Sequence, residues 1–369
     1  MNADDAQAAG CELAVIVPTL EERANVPVLV QRLHAALAGI RWEVVFVDDD
    51  SRDGTAAAVR AIAQRDPRVR CLQRIGRRGL AGACIEGMLA TSAPVLAVMD
   101  ADLQHDETLL APMLRAVQQE RLDVAVASRY VAGGSVGAWD ERRARISGLA
   151  TRLSRLIVKA DIADPMSGFF VIRREAFEAA LPRLSGQGFK ILLDLLASAP
   201  CPLALREFPF RFRPRQFGAS KLDAMVAWEY LMLIADKLVG GLLPVRFALF
   251  ALIGALGVLV NLLALRLALV AGLHFSAAET AGTIAAMLSN FLLNNRLTYR
   301  DRRLKGWRML RGLLIFCLGC AVGAAANVGI AATLFGQGRS WWLAGLAGAL
   351  IGGVWNYAIA STYTWGRAR

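Results

Sequence analysis

Histidine is scarce in this chain: three residues among 369, His34, His105 and His274, with no His-x-x-x-His pair. That removes zinc chemistry, which needs closely spaced imidazoles or thiolates. Also missing are a Gly-x-Gly-x-x-Gly turn after the first apolar run and any Gly-x-x-x-x-Gly-Lys-Ser/Thr loop. Dinucleotide dehydrogenases and P-loop NTPases are excluded with them. Lysine is sparse too, five residues against 37 arginines, and the net charge of +11 comes without an aromatic-interleaved basic groove. No nucleic-acid partner is expected; much of the charge is juxtamembrane and suits anionic lipid headgroups. The six cysteines (11, 71, 84, 201, 317, 320) fall in segments read as cytosolic or membrane-embedded. A disulfide framework is therefore not expected, and Cys317-x-x-Cys320, inside an apolar stretch, reads as helix packing. The first residues, Met1-Asn2-Ala3-Asp4-Asp5, are acidic and small, so no secretory signal is expected.

What the chain has in excess is apolar sequence, unevenly spread. Mean hydropathy is +0.42 with 56% hydrophobic residues, too high for one soluble globule. Residues 1–221 alternate short apolar runs with Arg-rich stretches, whereas from Leu222 onward apolar segments dominate. Four of them reach the roughly 20 residues that cross a bilayer. The predicted spans are 247–270, 277–297, 311–334 and 341–364. The 297–311 connection holds Arg300, Arg302, Arg303, Lys305, Arg308 and Arg311, while the other two connections hold only Arg339. Positive-inside logic puts that loop and both termini in the cytoplasm, in the cell (inner) membrane. Between the halves, 222–245 carries an apolar face at helical spacing (Met225, Trp228, Leu231, Met232) against Asp223, Glu229, Asp236 and Lys237. It reads either as an interfacial helix or as a connector packed on the first domain.

The apolar half repeats itself. A shift of 66 residues brings Gly257 onto Gly323, Asn261 onto Asn327, Gly272 onto Gly338 and Gly282 onto Gly348. It also brings Asn290-Phe291 onto Asn356-Tyr357 and Thr298-Tyr299 onto Thr364-Trp365. Two tandem two-helix units of one topology are expected. Asparagines in or at the ends of spans form interhelical hydrogen bonds or a polar patch for a lipid phosphate.

The first half reads as α/β. Strands are predicted at 13–17, 42–47, 69–73, 95–99 and 124–128, with helices over 25–38, from Thr55, and over 79–91. The rhythm implies a Rossmann-like, mostly parallel sheet with helices on both faces, whose ligands sit beyond the strands' carboxyl ends. Acidic clusters occupy two such ends: Asp48-Asp49-Asp50 and Asp100-Ala101-Asp102. Two carboxylates one residue apart can share a hard divalent cation, Mg²⁺ or Mn²⁺, with a substrate's phosphates.

Seven motifs follow one another in order. They are Pro18-Thr19-Leu20-Glu21-Glu22, Val47-Asp48-Asp49-Asp50-Ser51-x-Asp53-Gly54-Thr55, Asp100-Ala101-Asp102-Leu103-Gln104-His105 and Ser128-Arg129-Tyr130-x-x-Gly133-Gly134. Then come Asp164-x-x-Ser167-Gly168-Phe169-Phe170, Gly188-Phe189-Lys190-Ile191-Leu192-Leu193 and Gly218-x-Ser220-Lys221-Leu222. Together they resemble the polyprenyl-phosphate hexose synthases of glycosyltransferase family 2, of the dolichol-phosphate mannose synthase type. The second half, through Asn290-Phe291-x-x-Asn294-Asn295-Arg296-x-Thr298-Tyr299, is similar to the GtrA-like membrane family. The implied organisation is a GT-A domain over 1–221, interfacial helices over 222–245 and a four-helix membrane domain over 246–369.

The resemblance implies roles. Pro18, Leu20, Glu22, Val47 and Asp49 would line the base and ribose pocket. Asp100, Ala101 and Asp102 would face the nucleotide diphosphate, with Asp102 and Gln104 as metal ligands. Arg215 would reach the donor diphosphate, and Arg129, Arg143 and Ser147 would receive the acceptor phosphate; Asp100, Asp102, Arg129 and Arg215 form the implied catalytic set. Two departures from the family pattern are Leu20-Glu21-Glu22 in place of an aromatic followed by Asn-Glu, and Asp50 in place of Asn. The implied reaction is inverting transfer of a hexose, mannose from GDP-mannose, to a polyprenyl phosphate in the bilayer. The alternatives are a UDP-glucose-dependent synthase and translocation of a lipid-linked sugar by the membrane half. A processive polysaccharide synthase is set aside, because the Gln/Arg-x-x-Arg-Trp acceptor motif is missing.

Overall fold

A computed structural model of the chain describes residues 10–135, 153–154, 157–158, 160–186, 188–213, 230, 233–234, 237, 245–299, 302–338 and 341–366. The chain divides into two compact units, residues 1–240 and 241–369.

In the first unit the elements alternate as the sequence predicts: β1 (Leu13–Thr19), α1 (Asn25–Ala36), β2 (Trp42–Asp48), α2 (Thr55–Ala63), β3 (Val69–Gln73), α3 (Leu80–Leu89), β4 (Val95–Val98), α4 (Leu110–Gln119) and β5 (Val124–Ser128). Four more elements follow: β6 (Phe170–Arg173), α5 (Arg174–Ala180), α6 (Ile191–Ser198) and β7 (Leu205–Pro209). The seven strands form one sheet in the order β3-β2-β1-β4-β6-β5-β7. Every pairing is parallel except those of β6, which runs antiparallel to β4 and β5.

Alternation along the strands builds two cores. Leu13, Val15, Val17, Val44 and Phe46 join one apolar layer with Val26, Leu29 and Leu33 of α1 and Met113 and Val117 of α4. The intervening Ala14, Ile16, Val45 and Val47 face the other layer, with Cys84 and Met88 of α3, Phe177 of α5 and Leu192 and Leu195 of α6. Side chains on successive strand residues point to opposite faces, so continuous apolar runs mark strands buried on both sides. The result is a helix–sheet–helix sandwich.

The reversed strand positions the site. Because β6 is antiparallel, Phe170 pairs with Val98, so the start of β6 lies at the carboxyl end of β4. The 160–169 segment is thereby carried over the same edge as the acidic loops. β7, parallel to β5, delivers Phe210, Phe212 and Arg213 there too. Most of 222–245 lies outside the described residues. Of those described, Tyr230, Leu233 and Ile234 pack with Ile157, Met166 and Leu193. Lys237 Nζ pairs at 2.6 Å with the fully buried Asp194.

The second unit holds α7 (Val245–Val270), α8 (Phe275–Leu293), α9 (Trp307–Gly336) and α10 (Trp341–Ile359). Among the described residues one helix, Arg246–Val270, is long and apolar enough to cross a membrane by length and composition alone. The 66-residue repeat is physical. Two π-helical turns, Asn294–Thr298 and Ala360–Thr364, close α8 and α10 at equivalent positions. Gly257 and Gly323 let the backbone approach Asn290 and Asn356, respectively; a Cβ at either glycine would collide with that asparagine's side chain. Tyr299 and Trp365, equivalent in the repeat, stack on each other at 4.5 Å and 3°. Asn295 in turn accepts from Trp365 Nε1 at 3.0 Å and from Leu304 N at 2.8 Å. Equivalent positions in mutual contact mark an approximate two-fold relation between the two hairpins.

Candidate active site

The loops beyond β1, β2 and β4 each contain one left-handed residue that is not glycine: Glu21 (φ 57°), Asp50 (φ 59°) and Leu103 (φ 63°). Such conformations are disfavoured for L-residues and persist where surrounding bonds over-determine them. Those bonds are present. The β1 loop is stitched to the β2 loop by Glu21 N donating to Ser51 Oγ (2.8 Å), Glu22 N to Thr55 Oγ1 (3.0 Å) and Arg23 N to Asp53 Oδ2 (3.1 Å). Asp48 accepts from Ser51 N and Ser51 Oγ, closing the Asx turn that starts the acidic run.

Asp49, placed in the ribose pocket by the resemblance, has both carboxylate oxygens engaged within the domain. Its Oδ1 accepts from Arg74 Nη1 at 2.6 Å and its Oδ2 from Gly79 N at 2.6 Å. Burial pushes this carboxyl above its ordinary pKa, against the pull of the Gly79 amide and the Arg74 guanidinium. Arg74 is itself buried and also donates to Gly79 O. Asp49 and Arg74 thus fix the 74–79 loop to the carboxyl end of β2. Pro18 and Val47 pair across β1 and β2 beside it, while Glu22 accepts from Asn25 Nδ2 at 2.6 Å.

Beyond β4 lies the Asp100–His105 loop. The Asp100 side chain is 38% exposed, whereas Asp102 is buried. His105, also buried, accepts from Asp100 N at its Nδ1 (3.1 Å), so in the neutral ring the proton sits on Nε2, 3.8 Å from Asp100 Oδ2. Its ring stacks on Phe169 at 5.2 Å and meets Phe210 and Phe212 edge-on. Gly168 lies close enough that a Cβ would stand 3.2 Å from Asp100 Oδ2. Asp102 Oδ1 accepts from Gln104 N at 3.2 Å. Gln104 donates through Nε2 to Arg213 O at 2.9 Å. Arg213 Nη1 reaches Glu107 and Nη2 reaches Asp106, both at 2.8 Å, clamping the loop to the segment after β7.

Among the described residues no group of three or more His, Cys, Asp or Glu side chains could hold a metal. The donors present are two carboxylates and one amide oxygen. That set fits a hard divalent ion of the Mg²⁺ or Mn²⁺ kind, which takes one or two protein carboxylates and completes its shell with substrate phosphates and water.

Arg129 ends β5 and forms a two-pronged pair with Asp164: Nε to Oδ2 at 2.7 Å and Nη2 to Oδ1 at 2.8 Å. Asp164 is fully buried and oriented by Glu207, which accepts from the amides of Ala163 and Asp164. Burial of the Arg129 head works against its charge, but the Asp164 bonds outweigh it and raise its pKa. Arg143, Ser147 and Arg215 lie outside the described residues. Four side chains given no role from the sequence prove structural to the site: Arg74, His105, Asp164 and Arg213. Arg213 was signalled by its two-residue spacing from Arg211, which puts both on one side of an extended segment.

Residues 14–181 match the family described as Glycosyl transferase family 2, and residues 249–365 match the GtrA/DPMS transmembrane domain. The chain is 34% identical to a dolichol-phosphate mannosyltransferase of Pyrococcus furiosus over 96% of its own length and 99% of that protein's. The corresponding enzyme of Saccharomyces cerevisiae is 35% identical, covering 61% of this chain and 86% of the yeast protein. A polyprenol monophosphomannose synthase of Mycolicibacterium smegmatis is 35% identical over 60% of this chain and 85% of its own. Among solved structures, glucosyl-3-phosphoglycerate synthase of Mycobacterium tuberculosis with Mn²⁺, UDP-glucose and phosphoglyceric acid aligns with TM-score 0.47 at 20% identity, covering 63% of this chain and 81% of that one.

Proposed function

The chain belongs to the dolichol-phosphate mannosyltransferase family, and from that premise we propose that it transfers mannose from GDP-mannose to a polyprenyl phosphate, with inversion at the anomeric carbon. The observation that supports the reading is the clamped loop beyond β4, which carries Asp100, Asp102 and Gln104 at one strand end, with Gln104 N bonded to Asp102 and Gln104 Nε2 to Arg213 O. This is the donor set for a nucleotide diphosphate at the edge where α/β sheets take their ligands. In this reading Pro18, Leu20, Glu22 and Val47 line the nucleoside pocket beside Asp49 and Arg74. Ala101 gives the diphosphate close access to the loop backbone. A divalent cation, Mg²⁺ or Mn²⁺, held by Asp102 and Gln104, supplies neutralisation of the departing diphosphate's charge.

The acceptor needs little acid–base help. A phosphate oxygen is already anionic at neutral pH, so the protein's task is to aim it at C1 from the face opposite the leaving group. Arg129, locked by Asp164, offers one edge of its guanidinium to that phosphate, with Arg143 and Ser147 completing the seat. Arg215 stabilises the charge developing on the donor diphosphate. The proposed organisation is a catalytic domain over 1–221, a connecting segment over 222–245 and a membrane domain over 246–369 with spans near 247–270, 277–297, 311–334 and 341–364. The chain is membrane-associated through its GtrA/DPMS half. The Arg-rich 297–311 loop supports a cytoplasmic catalytic domain and cytoplasmic termini.

The test uses purified full-length chain in vesicles with polyprenyl phosphate and Mg²⁺ or Mn²⁺, offered GDP-mannose and UDP-glucose separately. Formation of polyprenyl-phosphate mannose is expected, and Asp102→Asn should lower kcat/KM by about 10²- to 10³-fold, the scale of one lost transition-state charge contact. Faster turnover of UDP-glucose, or full activity in Asp102→Asn, overturns the reading.

A further inference from the structure

The two hairpins of the membrane unit differ at a groove between α9 and α10. Arg311, Ile315, Leu318 and Val322 follow one another down α9 at spacings of three and four residues, forming one wall of a groove. Trp355 and Ile359 of α10, with Tyr363 of the turn that follows, form the other wall, and Gly319 forms the floor. The cavity measures about 380 Å³. At the equivalent positions 66 residues earlier stand Val245 for Arg311, Ile253 for Gly319, Ser289 for Trp355 and Leu297 for Tyr363. In the first hairpin Ile253 is buried at the position where Gly319 lets Ile359 pack close, a Cβ there standing 2.7 Å from Ile359 Cγ2. At these positions one hairpin has a cation, a glycine floor and two aromatic rims, and its twin has none of them.

Chemistry along the groove is graded. Arg311, at the end that adjoins the basic 302–311 loop, makes no ion pair among the described residues and is the sole cation of the lining. The walls beyond it are aliphatic. Tyr363 (67% exposed) and Trp355 (41% exposed) present rings at the rim, the residue types that gather at the headgroup level of membranes. A ligand matching this gradient carries one anionic head and an apolar tail. We propose that the α9/α10 groove is a binding site for a single anionic glycerophospholipid of the surrounding bilayer, its phosphodiester on Arg311 and an acyl chain along Ile315, Leu318 and Val322. A phosphodiester brings one negative charge to one guanidinium. A phosphate monoester, as on a polyprenyl phosphate, brings a second charge for which the lining holds no second cation. The site is separate from the proposed transferase reaction and does not depend on it.

The experiment measures lipid retention by the full chain in nanodiscs of phosphatidylcholine doped with phosphatidylglycerol, using native mass spectrometry, with polyprenyl phosphate as a third competitor. The native chain should hold one phosphatidylglycerol in preference to both others. Arg311→Gln should weaken that retention about fivefold, the scale of one basic group at an anionic surface. Val322→Trp, which fills the groove without touching charge, should weaken it as well. Melting temperatures in phosphatidylcholine alone should stay unchanged in both variants. Should Arg311→Gln fail to fold, Val322→Trp and the charge-conserving Arg311→Lys decide, the latter expected to keep most of the retention. Equal retention of phosphatidylglycerol by native and variant chains overturns the proposal, as does preferential retention of polyprenyl phosphate or of phosphatidylcholine.

Discussion

Asp164→Ala is expected to be among the most damaging single changes in the catalytic unit. Its carboxylate is fully buried, and its partner Arg129 is 10% exposed, so truncation strands a desolvated guanidinium. Breaking one partner of a buried pair costs about 3–5 kcal/mol, because the remaining charge has nowhere to go. The core supplies its own reporter. Cys84 is fully buried in the same apolar layer as Phe170 and Ile172 of β6, the strand that Asp164 precedes, and burial raises its thiol pKa so that it is inert while the unit is closed. Labelling of Cys84 by a thiol reagent, located by peptide mass spectrometry, therefore reports how often the unit opens. A loss of 3–5 kcal/mol should speed labelling by about 10²- to 10⁴-fold, at 1.4 kcal/mol per decade. Arg129→Ala should do the same, and Arg129→Met combined with Asp164→Leu should recover most of the protection, since no charge is then left buried. Labelling of Asp164→Ala within about threefold of the native rate would refute the argument. So would a double variant no better protected than the single ones.

Three further outcomes follow from the geometry. Gln104→Glu sets a carboxylate oxygen against Arg213 O in place of a donor, and should lower kcat/KM at limiting Mn²⁺ by about tenfold or more, with the loss growing as metal is withdrawn in a metal titration. Asp53 is held below the usual carboxylate range because hydrogen bonds from Thr55 and Arg23 outweigh the desolvation that would raise it. Its stabilising contribution is thus present above the unfolded Asp pKa and lost as pH falls through the depressed folded value, so Asp53→Asn should flatten the acid limb of the stability profile below about pH 4 in a thermal-shift series. Trp365→Ala removes the ring stacked on Tyr299 and the donor to Asn295, and should cost about 3–5 kcal/mol, read as a lower melting temperature of the detergent-solubilised chain; Trp365→Phe should lose far less.

The strands and the acidic loops were legible in the sequence because their signals are local. Runs such as Leu13-Ala14-Val15-Ile16-Val17 and Val95-Leu96-Ala97-Val98 announce strands buried on both faces, and Asp-rich turns at their ends mark the ligand edge. The reversed strand β6 was not legible, since an antiparallel partner has no signature in four residues of Phe-Val-Ile-Arg. Its consequence was hidden with it: that Asp164 and Gly168 are brought against Arg129 and Asp100. Asp49 shows the same limit from the other side. Its position in the acidic run was plain, but its engagement by Arg74 and Gly79 depends on contacts spanning 25 and 30 residues, which no spacing rule reaches.

In the membrane unit the repeat was readable because equivalent packing needs equivalent residues. Gly257 and Gly323 are conjugate to Asn290 and Asn356 through the same close approach, and a larger residue at either glycine would meet the same obstruction. Such constraint binds both hairpins alike, so it explains similarity and never difference. The departures therefore carry the information that packing does not. Asn295 accepts from Trp365 and Leu304, whereas its counterpart Ser361 donates to Ala358 O one turn earlier. Arg311, Gly319, Trp355 and Tyr363 likewise replace four residues of their twin, and all four line one groove. Together they give the second hairpin a groove with a cation at one end and aromatic rings at its rim, which its twin lacks at the equivalent positions.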